Sequence, residues 1–201
     1  MKQIKLSPLG VQKELLSRKV SLFTAQEFIR IFHSSPEKTK YFLETYTRKG
    51  LFVRLKQGLY ALEDRFPTGE EIANALYRPS YISFEYALAK YSIIPEAVYG
   101  ITSATTKSTR IFEAANLGFE YFKIKKQAFT GYALIKEGTA RTSSVLIAEP
   151  EKAVVDFLYF VSLGKRQPND RMTTRGLNKK KIIKYAKLYN HPGLIKLIQK
   201  L

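Results

Sequence analysis

Between Ser34 and Lys56 the chain sets hydroxyls and cations at spacings suited to gripping a polyanion. Ser34, Ser35, Lys38 and Lys40 cluster where a periodic apolar run begins. At the N-terminus of a helix such donors meet base edges, while cations meet phosphates. Arg48, Arg54 and Lys56 follow as candidate phosphate contacts, and Tyr41 can reach a phosphate or a thymine methyl. The competing reading is a small helical domain that docks on a partner protein. The positive charge of the chain favours double-stranded DNA.

Little in the sequence suits catalysis. His33 and His191 are the only histidines, one at a turn and the other before Pro192. The absence of cysteine excludes disulfides, thiolate nucleophiles and thiolate metal sites. There is no glycine-rich phosphate loop. Glu120 near Lys123 and Lys125 lacks the preceding Asp of a nuclease arrangement. The expectation is a protein that is not an enzyme and needs no cofactor or metal.

The elements that must carry the cationic residues follow from periodicity. Ala25, Phe28, Ile29 and Phe32 fall at i, i+3, i+4, i+7, which predicts a helix. Thr24 and Glu27 form a capping-box pattern before it. Ser35 then suits an N-cap and Pro36 the first helical position, so a second helix runs from Pro36 to about Lys49 and stops at Gly50. Its inward stripe is Thr39, Phe42, Leu43 and Tyr46. Its outward face carries Glu37, Lys38, Lys40, Tyr41, Glu44, Thr45 and Arg48. Residues 51–55 and 59–62 read as a hairpin about Lys56-Gln57-Gly58. Two helices at a tight turn and a basic hairpin are the order of a winged helix-turn-helix.

Charge divides the chain of 201 residues and net charge +17 into three. Residues 1–66 carry net +7, residues 67–163 are neutral, and residues 164–201 carry net +10. Two basic ends about a neutral middle imply two polyanion-facing surfaces with salt-sensitive binding. No stretch approaches the roughly 20 apolar residues of a membrane-spanning helix, and the N-terminus lacks a signal-peptide core. A cytoplasmic protein that does not engage membranes is expected. The second surface combines Lys165, Arg166, Arg171 and Arg175 in a loop with Lys180, Lys184 and Lys187 on a helix, opposite Ile182, Ala186 and Tyr189.

A domain boundary is placed near Asp64-Arg65-Phe66-Pro67, giving domains 1–66 and 67–201. The second opens with a helix at about 69–77 and a short extended piece, Ser80-Tyr81-Ile82. Ser83 then caps a helix with the stripe Phe84, Ala87, Leu88, Tyr91. Five short strands follow between Tyr99 and Ala148, rich in β-branched and aromatic residues. A buried helix runs from Pro150 to about Leu163, another is capped by Asn178, and a last one follows Pro192-Gly193. The fold class is α+β: an N-terminal winged helix-turn-helix domain, then a mixed α+β domain ending in basic helices. Lys152 and Asp156, at i, i+4, are expected as a surface ion pair. Glu149 and Glu151 suit the helix dipole, Tyr81 and Tyr86 are expected to pack, and the hydroxyls from Thr102 to Thr109 are expected to bond backbone.

Three segments carry a family likeness. They are Arg54-Leu55-Lys56-Gln57-Gly58-Leu59-Tyr60; Ser80 to Leu88 followed by Tyr99 to Lys107; and Ala148-Glu149-Pro150-Glu151-Lys152-Ala153-Val154-Val155-Asp156. In that order, over about residues 20–160, the chain resembles the AbiEi-type antitoxins of bacterial abortive-infection (type IV) toxin–antitoxin pairs. The resemblance implies a winged-helix domain that binds inverted repeats in its own promoter and represses its operon. It implies a C-terminal domain that counters a nucleotidyltransferase-like toxin, often without a stable complex, in phage defence. A stand-alone winged-helix regulator with a ligand-sensing or oligomerising second domain is the alternative, and an RNA-binding module the third possibility.

Overall fold

The computed structural model describes residues 6–137 and 143–201. The chain is α+β and divides into two compact units, with the seam between Leu76 and Tyr77. The helix Gly69–Leu76 falls within the first of these units.

The first unit runs α1 (Pro8–Ser17), β1 (Leu22–Thr24), α2 (Ala25–Phe32), α3 (Pro36–Arg48), β2 (Phe52–Lys56), β3 (Leu59–Leu62) and α4 (Gly69–Leu76). The strands form an antiparallel sheet in the order β1-β3-β2. The capping box is present at both ends: Glu27 N–H donates to the Thr24 hydroxyl at 3.2 Å, and Thr24 N–H donates to the Glu27 carboxylate at 2.7 Å. Ser35 caps α3 by accepting from Lys38 N–H at 3.3 Å. Such caps contribute about 1 kcal/mol each. The core outweighs them, because Phe23, Phe28, Phe32, Phe42 and Phe52 are all buried, and each contributes roughly 1.5–3 kcal/mol. Gly58 turns the hairpin at φ 75°, and its carbonyl accepts from Ala25 N–H at 3.1 Å, which ties the hairpin tip to the start of α2.

The helix α1 and the three-residue strand β1 went unread in the sequence. The signal for α1 was Ser7-Pro8, since Ser7 accepts from Gly10 N–H and Pro8 occupies the first turn. Its buried pair, Val11 and Leu15, is too sparse to show as a periodic stripe.

The second unit holds β4 (Ser80–Ile82), α5 (Phe84–Lys90), β5 (Ile101–Thr105), β6 (Arg110–Ala114), β7 (Leu117–Lys123), β8 (Tyr132–Glu137), β9 (Ser143–Ala148), α6 (Pro150–Ser162), α7 (Lys179–Lys187) and α8 (Pro192–Ile198). The mixed sheet has the order β6-β7-β5-β4-β9-β8. Central β4 and β5 are buried along their whole length, and α6 is buried continuously from Glu151 to Phe160.

Two sequence expectations are corrected here. Lys152 and Asp156 do pair, but both side chains are fully buried. The Asp156 carboxylate accepts from four donors. Tyr81 and Ser83 hydroxyls reach one oxygen at 2.9 and 2.7 Å; Lys152 Nζ and the Tyr189 hydroxyl reach the other. Ser83 therefore does not cap α5. Thr102 of β5 takes that role, accepting from Tyr86 N–H at 3.1 Å and donating to the Ser83 carbonyl at 2.6 Å. Thr105 likewise donates to the Pro79 carbonyl at 2.7 Å and Thr109 accepts from Lys123 N–H at 3.1 Å, as expected of that run, whereas the buried Ser103 hydroxyl meets no partner.

Burial pulls Lys152 below the ordinary lysine range, opposed by the charge and hydrogen bond of Asp156. Burial and the same carboxylate push the Tyr81 and Tyr189 phenols well up, so both stay protonated as donors. Gly131, at φ 74°, lies where an added Cβ would sit 2.7 Å from the Tyr185 ring and 3.1 Å from Lys152 Cγ, so a side chain there would unseat α7.

Removing Asp156 leaves a buried ammonium with only Tyr189 to receive it. Asp156→Ala is expected to cost about 3–5 kcal/mol of unfolding free energy. Lys152→Met should cost less, since the carboxylate keeps three hydroxyl donors. Urea unfolding of both variants checks the ranking, and a smaller loss for Asp156→Ala would contradict it.

Candidate nucleic-acid interface

The outward face of α3 presents Lys38, Lys40, Tyr41, Glu44 and Arg48 to solvent. Tyr41 is 73% exposed, a large ring held off the core by its place opposite Thr39, Phe42 and Leu43. Ser35 is exposed; its oxygen caps the helix and its hydroxyl meets the Glu37 carboxylate. Ser34 is turned inward instead, hydrogen-bonded to Thr39 at 2.6 Å.

Arg48 at the end of α3 and Arg54 on β2 converge on one shallow cavity of about 400 Å³, shared with Glu44, Thr47 and Tyr60. Sequence spacing did not reveal this meeting, because it depends on the hairpin folding back beside the helix. A register shift lies between Arg54 and Lys56 where β2 pairs with β3. Lys56 is half-buried and donates to the Leu76 carbonyl, so it braces α4 rather than facing outward with Arg54. Glu37, in the first turn, is held below the usual carboxylate range by backbone donors and the Ser35 hydroxyl.

The second basic surface is only partly as expected. Lys180, Lys184 and Lys187 are exposed on α7, whose other side buries Ile182, Tyr185 and Ala186. Lys165 and Arg175 are also exposed. Arg171 pairs with Glu96 at 3.5 Å. Arg166 is a correction. Its side chain is only 15% exposed, ion-paired with Glu85 and stacked 4.4 Å from the Phe122 ring centroid, so it is wedged among rings rather than displayed. Burial pushes its guanidinium down to about 10, which leaves it charged at neutral pH.

The acids at the start of α6, read in the sequence as dipole partners, hold α7 in place. Glu149 accepts from Lys181 at 2.9 Å and from the Tyr185 hydroxyl at 2.8 Å, and Glu151 accepts from Asn178 N–H at 3.1 Å. His191 caps α8 through Nδ1, accepting from Leu194 N–H at 3.2 Å. Among the described residues there is no cluster of metal-ligating side chains, and no helix is long and apolar enough to cross a membrane.

Residues 12–62 match the family described as transcriptional regulator, AbiEi antitoxin. Over that stretch the chain is similar to the AbiEi antitoxin family. The match covers α2, α3 and the β2–β3 hairpin completely, and with them every residue of the α3 face. Antitoxin and transcription-regulator roles are those of this AbiEi group. No curated protein matches the chain.

The Glu149 contacts carry a pH dependence. Hydrogen bonds from Lys181 and Tyr185 hold Glu149 below its ordinary value of 4.5. Its contribution is thus present above pH 4.5 and is lost as pH falls through the lower folded value. Lys181 is raised above 10.5 by the same carboxylate, so its contribution is full below that pH and is lost at higher pH. Thermal unfolding across an acid series should show a loss of stability below pH 4.5 that is shallower in Glu149→Gln. Superimposable acid limbs would contradict this role.

Proposed function

We propose that the chain is a DNA-binding antitoxin that represses its own operon, with residues 1–66 as a winged helix-turn-helix and residues 67–201 as the part that counters a nucleotidyltransferase-like toxin. The reading rests on the cationic outer face of α3 standing beside a hairpin whose Arg54 meets Arg48. The order α1-β1-α2-α3-β2-β3 is that of a winged helix, and α3 has the length and exposed donors of a recognition helix. Ser35, Lys38, Lys40 and Tyr41 lie towards its N-terminal half, where base edges are read. Arg48 and Arg54 lie where the backbone would pass. The chain is taken to act in the cytoplasm without enzymatic activity of its own. A stand-alone regulator remains the alternative, distinguished by the lack of a toxin-like neighbouring gene.

The same reading gives Lys180, Lys184 and Lys187 to a second polyanion, either DNA flanking the operator or the nucleic-acid substrate of the toxin, RNA included. They share one exposed face, whereas neighbouring Lys181 is held by Glu149.

Binding of the full chain to its own upstream DNA against scrambled duplex, over a salt series, tests the proposal. A preference of about 10³ or more for the upstream DNA is expected, lost when Lys38 and Lys40 are both changed to Ala. Equal, salt-sensitive binding to both duplexes would overturn it. Neutralising Lys180, Lys184 and Lys187 together should lower the salt slope by about one phosphate each. An unchanged slope would remove DNA from the account of that surface.

A further inference from the structure

The helix side of the β6–β7 edge carries a bay to which the readings above assign no ligand. It has a volume of about 450 Å³ and is lined by Thr109, Glu120, Phe122, Phe160, Lys165 and Arg166. That size falls within the roughly 300–1,000 Å³ of small-molecule sites. Its parts are set by the fold. Glu120 and Phe122 are two residues apart on β7, so they share one face of the sheet. The end of α6 supplies Phe160. Gly164, at φ 65°, closes that helix with Gly164 N–H on the Val161 carbonyl at 2.9 Å and Lys165 N–H on the Phe160 carbonyl at 3.0 Å, the pairing of a Schellman turn. That turn delivers Lys165 to the rim and Arg166 to the wall of the bay, between its rings.

The polar groups are partly unmet. Arg166 contacts Glu85 through a single nitrogen, and the second Glu85 oxygen is buried with no partner. The guanidinium is therefore oriented by the rings it stacks on, not by a two-pronged carboxylate bridge. No hydrogen bond or ion pair among the described residues reaches the carboxylate of Glu120 or the ammonium of Lys165. Thr109 accepts from Lys123 N–H at 3.1 Å, so its own O–H is left to donate.

A ligand that fits must carry an anion at one end for Lys165 and Arg166. It must have a flat apolar part against Phe122 and Phe160, and an N–H for Glu120. Its charge must be small, because Glu85 already offsets Arg166 and Glu120 repels further negative charge. We propose that this bay binds a nucleoside monophosphate, its phosphate on Lys165 and Arg166 and a base N–H donated to Glu120. The site lies within the second unit and does not depend on the DNA reading.

Calorimetric titration of the full chain with AMP, CMP, GMP and UMP tests the assignment, with inorganic phosphate and the free nucleosides as further titrants. At least one monophosphate is expected to bind more tightly than phosphate or its own nucleoside. Lys165→Ala should weaken it by about tenfold, the effect of losing one charge-assisted contact, and Glu120→Gln should weaken it too. Both positions are at the rim, and unchanged thermal unfolding of each variant shows that it folds. Lys180→Ala with Lys184→Ala should leave binding unchanged, which separates the bay from general cation attraction. No binding of any monophosphate at millimolar concentration overturns the proposal. So does equal binding of inorganic phosphate, or binding that Lys165→Ala leaves intact.

Discussion

A carboxylate taken fully out of water is tolerable only if its oxygens find donors, and Asp156 imposes that demand on the whole second unit. Moving an ion from water to the interior costs several kcal/mol even after relaxation. The offset comes from Tyr81 on β4, Ser83 at the mouth of α5, Lys152 one turn back on α6, and Tyr189 just beyond α7. These donors come from four places in the chain, so the network is complete only when sheet, α5, α6 and α7 have all closed. Its effects spread outward. Because Ser83 is drawn inward, α5 takes its cap from Thr102 on a neighbouring strand. Phe84, the next residue, is held at φ 57° between Phe122 and Phe160. A bulky residue there is strained by roughly 1–3 kcal/mol, and ring packing on both sides holds it.

The basic helix α7 is bound into the same network. Tyr189 enters the Asp156 cluster, while Tyr185 and Lys181 reach Glu149, and the first turn is tethered through Asn178 to Glu151. An acid at each contact point draws one side of the helix inward and leaves Lys180, Lys184 and Lys187 outward. The first unit is built on the opposite plan. Its core is aromatic and aliphatic, with Thr39 of α3 as a buried polar exception that bonds Ser34. Nothing on the outer face of α3 is needed to hold that core, so the face is available to a ligand.

Much of this was legible where one local rule acts alone. Thr24 with Glu27, Ser35 with Pro36, and Gly58 between two short strands each mark an element through backbone chemistry confined to a few residues, and each element is present. Lys152 and Asp156 show the limit. Their spacing identified the pair, but its burial depended on what packs around α6. The hint was available: a helix apolar on most sides is surrounded, and its few polar residues are then surrounded too. The capping role of Thr102 had no local trace, since Ser83 is a suitable cap by type and only a competing carboxylate far along the chain displaces it. The meeting of Arg48 and Arg54 was equally hidden, because it needs both the hairpin turn and its register shift.

Charge counted along the chain overstates charge offered to a partner. Lys152 neutralises Asp156 in the core, Lys181 answers Glu149, Arg171 answers Glu96, and Lys56 braces a carbonyl. These cations contribute little to counterion release, because they meet protein oxygens before and after any binding event. The cations left outward include Lys38, Lys40, Arg48 and Arg54 in the first unit, and Lys165, Arg175, Lys180, Lys184 and Lys187 in the second, alongside others such as Lys13, Lys19, Lys49, Lys126, Lys196 and Lys200. Lys38, Lys40, Arg48 and Arg54 lie on or beside α3, and Lys180, Lys184 and Lys187 share one side of α7, so each of these two surfaces concentrates positive charge. Any account of salt dependence must start from these residues. For the acids, the same sorting makes Glu44 and Glu120 informative: each stands beside cations with no ion pair of its own among the described residues, and so subtracts from the local attraction. A carboxylate kept in such a position weakens binding of bare phosphate and favours a ligand that brings a hydrogen-bond donor with its charge.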